Sequence, residues 1–231
     1  MLRLQPGDAL VLFNGSDGAD WPGEIVRIGR RDVDVRLGSP LPVVRELAFE
    51  VTIALGVPAN DRMDALVEKA GELGAAAIQP LVCERSVVRL SGERAEAKRA
   101  HWQTVAAAAS EQCGRARVAE VRPVASLTSW LESLAAAPAG RNVVLSFTPA
   151  TLDPEQVFGA GLQQARDAER ERIVILSGPE GGLTPAEEGA AVALGFVPVG
   201  LGPRVLRADT APLALLAWLG LRSLAAQGER R

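Results

Sequence analysis

From about residue 48 onward, short apolar runs alternate with stretches of helical periodicity, and that alternation admits few folds. Strands separated by helices build a mostly parallel sheet with helices on both faces. The apolar runs predict strands at 49–55, 77–82, 142–147, 172–176 and 197–201. The first helix is expected over 61–73, where Met63, Leu66, Val67, Ala70 and Leu73 share one stripe and Gly74 suits the position just past the end. A long Ala-rich helix is expected over 95–113, stopped by Gly114. Asp153 followed by Pro154 opens a helix running to about residue 168, and Thr184-Pro185-Ala186-Glu187 is a capping box with proline at its first turn. The last helix, 209–225, is apolar almost all round, so it buries more than one side.

The first 47 residues read differently. Segments 8–13, 23–28 and 32–37 alternate in the manner of strands, Asn14-Gly15 marks a turn, and the run stops at Gly38-Ser39-Pro40-Leu41-Pro42. Val33, Val35 and Leu37 are expected to face inward. Three or four short strands make a thin core, which fits a small β-barrel incomplete at its start.

The chemistry concentrates in two segments. Leu176-Ser177-Gly178-Pro179-Glu180-Gly181-Gly182 is followed about twenty residues later by Leu201-Gly202-Pro203-Arg204-Val205-Leu206-Arg207-Ala208-Asp209-Thr210-Ala211. Each is a strand running into a glycine-bearing turn and then into a helix. Two such turns at strand carboxyl ends can face one another across a small ligand. Neither is a phosphate-binding Gly-Lys-Ser/Thr loop or a Gly-x-Gly-x-x-Gly fingerprint. Pro-Glu-Gly-Gly alone is often only a turn; the ordered pair is far more specific.

Composition narrows the rest. No uninterrupted apolar run is long enough to span a membrane, and Met1 opens no secretion leader. Cys83 and Cys113 are too few and too far apart for a disulfide framework or metal site, and two buried thiols of a reduced cytoplasmic protein are expected. His101 is the single histidine, which leaves no histidine-based triad and suits a helix surface. The net charge is −3, so bulk charge does not announce a nucleic-acid binder. Residues 82–122 nonetheless carry eight basic against five acidic side chains, which fits either a solvated helix face or a phosphate-binding patch.

Taken with Lys69-Ala-Gly-Glu-Leu-Gly74, Pro80-Leu-Val-Cys-Glu-Arg-Ser-Val87 and Ala109-Ser-Glu-Gln-Cys-Gly-Arg115, the two glycine segments resemble the SPOUT class of RNA methyltransferases. Within it they are similar to the bacterial family that methylates N3 of a uridine in 16S ribosomal RNA of the small subunit. The five blocks fall in the family's order over most of the chain. The resemblance implies a PUA-like β-barrel RNA-binding domain over 1–47, incomplete at its N-terminus. It also implies a SPOUT methyltransferase domain over 48–231, an α/β parallel sheet whose C-terminal segment threads a trefoil knot. It implies S-adenosyl-L-methionine (SAM) as methyl donor, a homodimer, a ribosomal RNA partner and no membrane. Dimer contact or single-chain core burial would each account for the apolar last helix.

Carried onto this chain, Gly178, Glu180, Gly181 and Gly182 form one wall of the SAM pocket, Leu201, Gly202, Leu206 and Thr210 a second, and 145–147, with Leu145 and Phe147, a third. Leu201 and Leu206 read equally as core. The uridine N3–H is a weak acid, so an arginine that stabilises negative charge on the flanking carbonyls would help. Arg207 is the first candidate and Arg204 the second, Arg204 also reading as a phosphate contact or a salt-bridge partner of Glu180. Glu180 or Asp209 would accept a proton or orient the arginine. Arg85 and Arg115 are the RNA-binding candidates, although Arg115 also suits a helix C-terminus or the partner subunit. No metal is expected.

The chain departs from the family pattern in places. In the family some twenty further residues usually precede Met1-Leu-Arg-Leu-Gln-Pro-Gly-Asp8; a misassigned start or a truncated barrel would each account for the difference, which bears on RNA affinity rather than SAM binding. Val57-Pro58-Ala59-Asn60 replaces a lysine-bearing turn, Leu183 stands where Phe is common, and Ala208-Asp209 where Thr-Glu is common. Two alternatives stay open: a catalytically silent RNA-binding ribosome-assembly factor that keeps the knot, and a related enzyme acting on transfer RNA.

Overall fold

The computed structural model describes residues 4–59, 62–134, 140–159 and 170–228. The amino-terminal part is a four-stranded antiparallel sheet of β1 (Ala9–Leu12), β2 (Ala19–Ile28), β3 (Val33–Leu37) and β4 (Leu41–Pro42), in the order β1-β2-β3 with β4 also on β2. The fourth strand lies where the sequence suggests the run has already stopped. The inward face expected of β3 is a correction: Val33 and Leu37 are each 52% exposed, and only Val35 is half-buried. Alternation buries a strand face only when a second layer covers it, and among the strands of this sheet only Ala19 and Ile25 are buried.

The rest is the parallel sheet that the alternation predicts. Its elements are β5 (Phe49–Gly56), α1 (Arg62–Glu72), β6 (Ala77–Val82), α2 (Gly92–Cys113), β7 (Glu120–Val121), β8 (Ala125–Ser126), α3 (Leu127–Leu134), β9 (Arg141–Leu145), α4 (Pro154–Phe158), β10 (Glu171–Ser177), α5 (Pro185–Ala193), β11 (Val197–Val199) and α6 (Thr210–Gly228). Seven strands run in the order β11-β9-β10-β5-β6-β7, with β8 also on β6, and every pair is parallel. Central strands are buried on both faces, as parallel sheets require. Val51, Ile53 and Leu55 of β5 join Met63, Leu66, Trp102, Ile173, Leu215 and Leu219 in the larger core, beneath α1, α2 and α6. Ala54 of the same strand points the other way, with Leu81, Trp130, Leu131, Leu176 and Phe196, beneath α3 and α5.

Helix ends obey the sequence. Gly114 takes the left-handed conformation beyond α2 and so stops it. The expected capping box forms at α5, Thr184 with Glu187, and the expected N-cap Asp153 of α4 extends to a second box with Gln156. Helix α4 is described as one turn ending at Gly159; its expected extension to about 168 falls on residues outside those described, as does the expected start of α1 at Asp61. Asp64 of α1 clamps α2, accepting from Trp102 Nε1 at 3.0 Å and lying 2.7 Å from His101 Nε2, so the single histidine is a helix-surface residue. Cys83 is buried, but Cys113, expected to be buried, is exposed, because it sits in the last turn of α2 before Gly114. Among the described residues no helix is long and apolar enough to cross a membrane.

Candidate functional site

The carboxyl ends of β9, β10 and β11 open onto a cavity of about 520 Å3, within the range of roughly 300–1,000 Å3 common for small-molecule sites. Ligands settle at the carboxyl ends of parallel strands because the loops there diverge from a rigid edge. The first glycine segment follows β10. A Cβ on Gly178 would sit 2.6 Å from the Leu183 nitrogen and 2.7 Å from the Gly182 carbonyl carbon, both backbone, so only glycine lets this loop fold back on itself. The Gly182 N–H donates to the Pro179 carbonyl at 2.8 Å, closing the turn that leads into α5. Gly56, at the end of β5, allows the same loop to lie against the sheet: its Cβ would meet Pro179 at 2.6 Å. The sequence reading did not single out Gly56, and its only signal is a glycine at a strand's carboxyl end.

The second segment follows β11. Gly202 has a φ of +92°, which turns the loop, and the Arg207 carbonyl accepts from the Thr210 and Ala211 N–H groups at 3.0 Å, opening α6. The two segments touch where the Ser177 hydroxyl donates to the Ala208 carbonyl at 3.4 Å.

The cavity brings together most of the residues expected of it. Leu145, Phe147, Gly178, Glu180, Gly181, Gly182, Leu201, Arg204 and Leu206 line it, as does Arg85. Gly202, Arg207 and Thr210 do not belong to its lining; Arg207 and Thr210 are exposed, and their backbone caps α6 instead. Arg85 donates from its guanidinium to the Gly181 carbonyl at 3.0 Å and the Leu183 carbonyl at 3.2 Å, so it braces the first loop. Glu180 pairs with other groups than Arg204. Its Oε1 accepts from the Ala59 N–H at 2.8 Å and lies 3.9 Å from Arg62. Asp209 Oδ1 is buried and, among the described residues, has no hydrogen-bond partner. Ser146, within the expected 145–147 wall, lines the cavity too, and Thr148, Ser177, Leu183, Glu188 and Val199 join it without a role having been expected of them.

Arg115 is placed elsewhere, and its expected exposure to RNA is corrected. Its side chain is 6% exposed and pairs with Glu46, while Nη1 donates to the Gly71 carbonyl at 2.7 Å and the Ala75 carbonyl at 3.0 Å. The residue after the α2 stop points inward, where the Glu46 carboxylate and the carbonyls of Gly71, in the last turn of α1, and Ala75, just beyond it, receive its guanidinium. The basic residues of 82–122 divide accordingly: Arg85 faces the cavity, Arg99 pairs with Glu96, and Arg117 and Arg122 join Arg170 and Arg172 around a separate cleft of about 220 Å3. Among the described residues no group of three or more His, Cys, Asp or Glu could hold a metal.

A parallel sheet with a glycine-looped cavity at its carboxyl edge, preceded by a small antiparallel sheet, defines an α/β small-molecule-binding protein with an appended β unit. The chain belongs to the family of RNA methyltransferase domains, whose model matches residues 45–220, while an RNA methyltransferase PUA domain matches residues 2–38. Particular relatives carry the name ribosomal RNA small subunit methyltransferase E. That of Bacillus subtilis is 30% identical over 231 residues, 100% of this chain and 88% of the relative. That of Synechocystis is 32% identical over 217 residues, 94% of this chain and 67% of the relative. The crystal structure of the Neisseria gonorrhoeae protein of that name, bound to S-adenosyl methionine, superposes with a TM-score of 0.78 at 31% identity, over 94% of this chain and 84% of that one.

Proposed function

We propose that this chain transfers a methyl group from SAM to N3 of a uridine in 16S ribosomal RNA of the small subunit. The observation that carries the reading is the cavity itself, walled by two glycine segments at the carboxyl ends of β10 and β11. Its chemistry suits an adenosyl ligand. Leu145, Val199, Leu201, Leu206 and Ala211 offer apolar surface to a flat ring, and glycine loops let backbone groups approach closely. The similarity to SAM-bound relatives supports the same donor here. We further propose a barrel domain over 1–47, a methyltransferase domain over 48–231 with a knotted C-terminal segment, and a cytoplasmic homodimer. Exposed apolar side chains at the cavity, Phe147 at 67% and Val205 at 82%, and Leu221 on α6, at 69%, are what a second subunit would cover.

When bound, SAM supplies an electrophilic methyl carbon. The protein's own task is to present a nucleophilic uridine nitrogen. Arg204, the arginine on the second segment that lines the cavity, is suited to stabilise negative charge on the uridine carbonyls beside N3. Arg207, on the exposed side of the same segment, is suited to hold the incoming RNA or to share that charge. Asp209, outside the cavity lining but with a buried, unengaged carboxylate oxygen, is suited to orient an arginine of the second segment. Glu180 already serves the Ala59 N–H and reads as a brace for the first loop. Arg85 and the cleft of Arg117, Arg122, Arg170 and Arg172 offer positive charge to the RNA backbone.

The test is transfer of labelled methyl from SAM to small ribosomal subunits lacking their native methylations, with the product nucleoside identified by mass spectrometry. N3-methyluridine is expected. SAM binding without transfer to any uridine would overturn the reading.

A further inference from the structure

One carboxylate in the cavity has no role so far. Glu188 sits in the first turns of α5, half-buried, and its side chain lines the cavity. The Ser146 hydroxyl donates to its Oε1 at 2.6 Å. Ser146 is itself fixed: it is 7% exposed, its N–H donates to the Val199 carbonyl at 3.0 Å, and its Oγ accepts from the Thr148 N–H at 3.1 Å. The carboxylate is therefore held in one orientation by the strand end that also carries Leu145. An ionised carboxylate has about four acceptor positions. Ser146 occupies one, and among the described residues no arginine, lysine or other donor meets Glu188. A charged acceptor with spare capacity, fixed beside an apolar slot, is matched to a ligand that carries hydroxyl donors next to a flat apolar ring.

We propose that Glu188, oriented by Ser146, accepts hydrogen bonds from the ribose hydroxyls of the adenosyl donor and sets the site's preference for a ribonucleoside. The proposal rests on the SAM reading above. A vicinal diol is the group that fits: its two O–H donors lie close enough to share one carboxylate, and a sugar is the polar group joined directly to the ring that fills the slot. Ser146 acts as a positioning residue, since its hydroxyl meets Glu188.

The experiment is competition against labelled SAM on the full chain, with adenosine and 2′,3′-dideoxyadenosine as competitors, for the wild type, Glu188→Ala and Glu188→Gln. A hydrogen bond to a charged acceptor predicts that the wild type prefers adenosine by roughly tenfold to a hundredfold. Glu188→Ala should abolish that preference while leaving dideoxyadenosine affinity unchanged, and Glu188→Gln, which keeps the shape and one acceptor, should keep part of it. Ser146→Ala should narrow the preference less than Glu188→Ala does. An unchanged preference in both Glu188 variants would overturn the assignment. So would SAM binding in which adenosine fails to compete, because the anchor would then lie on the amino-acid end of the donor. Wild-type protein that binds neither SAM nor adenosine would instead overturn the donor reading on which the proposal stands.

Discussion

Arg115 offers the sharpest test, because the sequence leaves it among RNA, a partner subunit and a helix C-terminus while the structure buries it against Glu46. Its side chain and that of Glu46 are 6% and 9% exposed, and the same guanidinium serves the carbonyls of Gly71, in the last turn of α1, and Ala75, just beyond it. Arg115→Ala leaves an uncompensated buried carboxylate and takes a donor from the Gly71 and Ala75 carbonyls, the first of which keeps the Gly74 N–H at 3.1 Å. Breaking a buried pair from one side costs about 3–5 kcal/mol. In a domain of this size each kcal/mol moves the melting temperature by roughly 2–4 °C, so a fall of about 6–20 °C is expected. The double variant Arg115→Met/Glu46→Leu removes both charges together and should recover most of that loss, since apolar replacement of a whole buried pair is often neutral. Calorimetry on the three variants, with SAM and RNA affinities measured at a temperature where all are folded, checks this. An Arg115→Ala protein that melts within about 3 °C of the wild type but has lost RNA affinity would refute the structural role and restore the surface one.

Other outcomes follow from single contacts. Gly178→Ala forces a Cβ into the Gly182–Leu183 backbone, and SAM affinity should fall at least tenfold in a titration while the thermal transition is largely kept. Arg204→Ala should cut methyl transfer by roughly 100-fold or more with SAM affinity retained, as loss of one charge-stabilising donor does elsewhere; equal loss of SAM binding would remove its catalytic role. Burial, with the nearby Glu187 charge, pushes the Cys83 thiol from its ordinary 9.0 up to about 12. Between those values the unfolded thiol has lost its proton and the folded one has not, so stability declines as pH rises through the window. Urea unfolding at pH 8 and pH 10.5 should show this decline reduced in Cys83→Ala, and an identical decline in both proteins would count against it. Trp130→Ala, which removes the ring packed edge-on against Phe196 at 6.2 Å, should cost about 3–5 kcal/mol in the same assay.

What the sequence made legible was whatever local rules decide. Parallel strands buried on both faces read as continuous apolar runs, and the capping box at Thr184 and the Asp153-Pro154 start announced their helices. Helix α3 escaped that reading although its signal was there: Leu127, Trp130, Leu131 and Leu134 recur at helical spacing, and the Ser126 hydroxyl accepts from the Ser129 N–H at 3.1 Å. Strands β7 and β8 are two residues each, too short for any periodicity to mark them. In the site, the glycine walls were visible because close backbone approach needs glycine at fixed positions. Glu188 was not, because it lies 42 residues from Ser146 in sequence and meets it only once β9 and α5 are packed. Arg115 misled for a related reason: charge is written in the sequence, whereas the carbonyls waiting for it are a tertiary fact.

The small antiparallel sheet has a further consequence, for the timing of synthesis. Its ties to the rest of the chain run to the segment just after α2: Arg45 donates to the Gly114 carbonyl at 2.7 Å, and the Val118 N–H donates to the Gly15 carbonyl at 2.9 Å. Arg45 and Gly114 are 69 residues apart. At about 5–20 residues per second, the ribosome makes the sheet roughly 3–14 s before the segment that anchors it. Through that interval the sheet lacks both anchors, so the nascent amino terminus is the stretch a ribosome-bound chaperone would meet first.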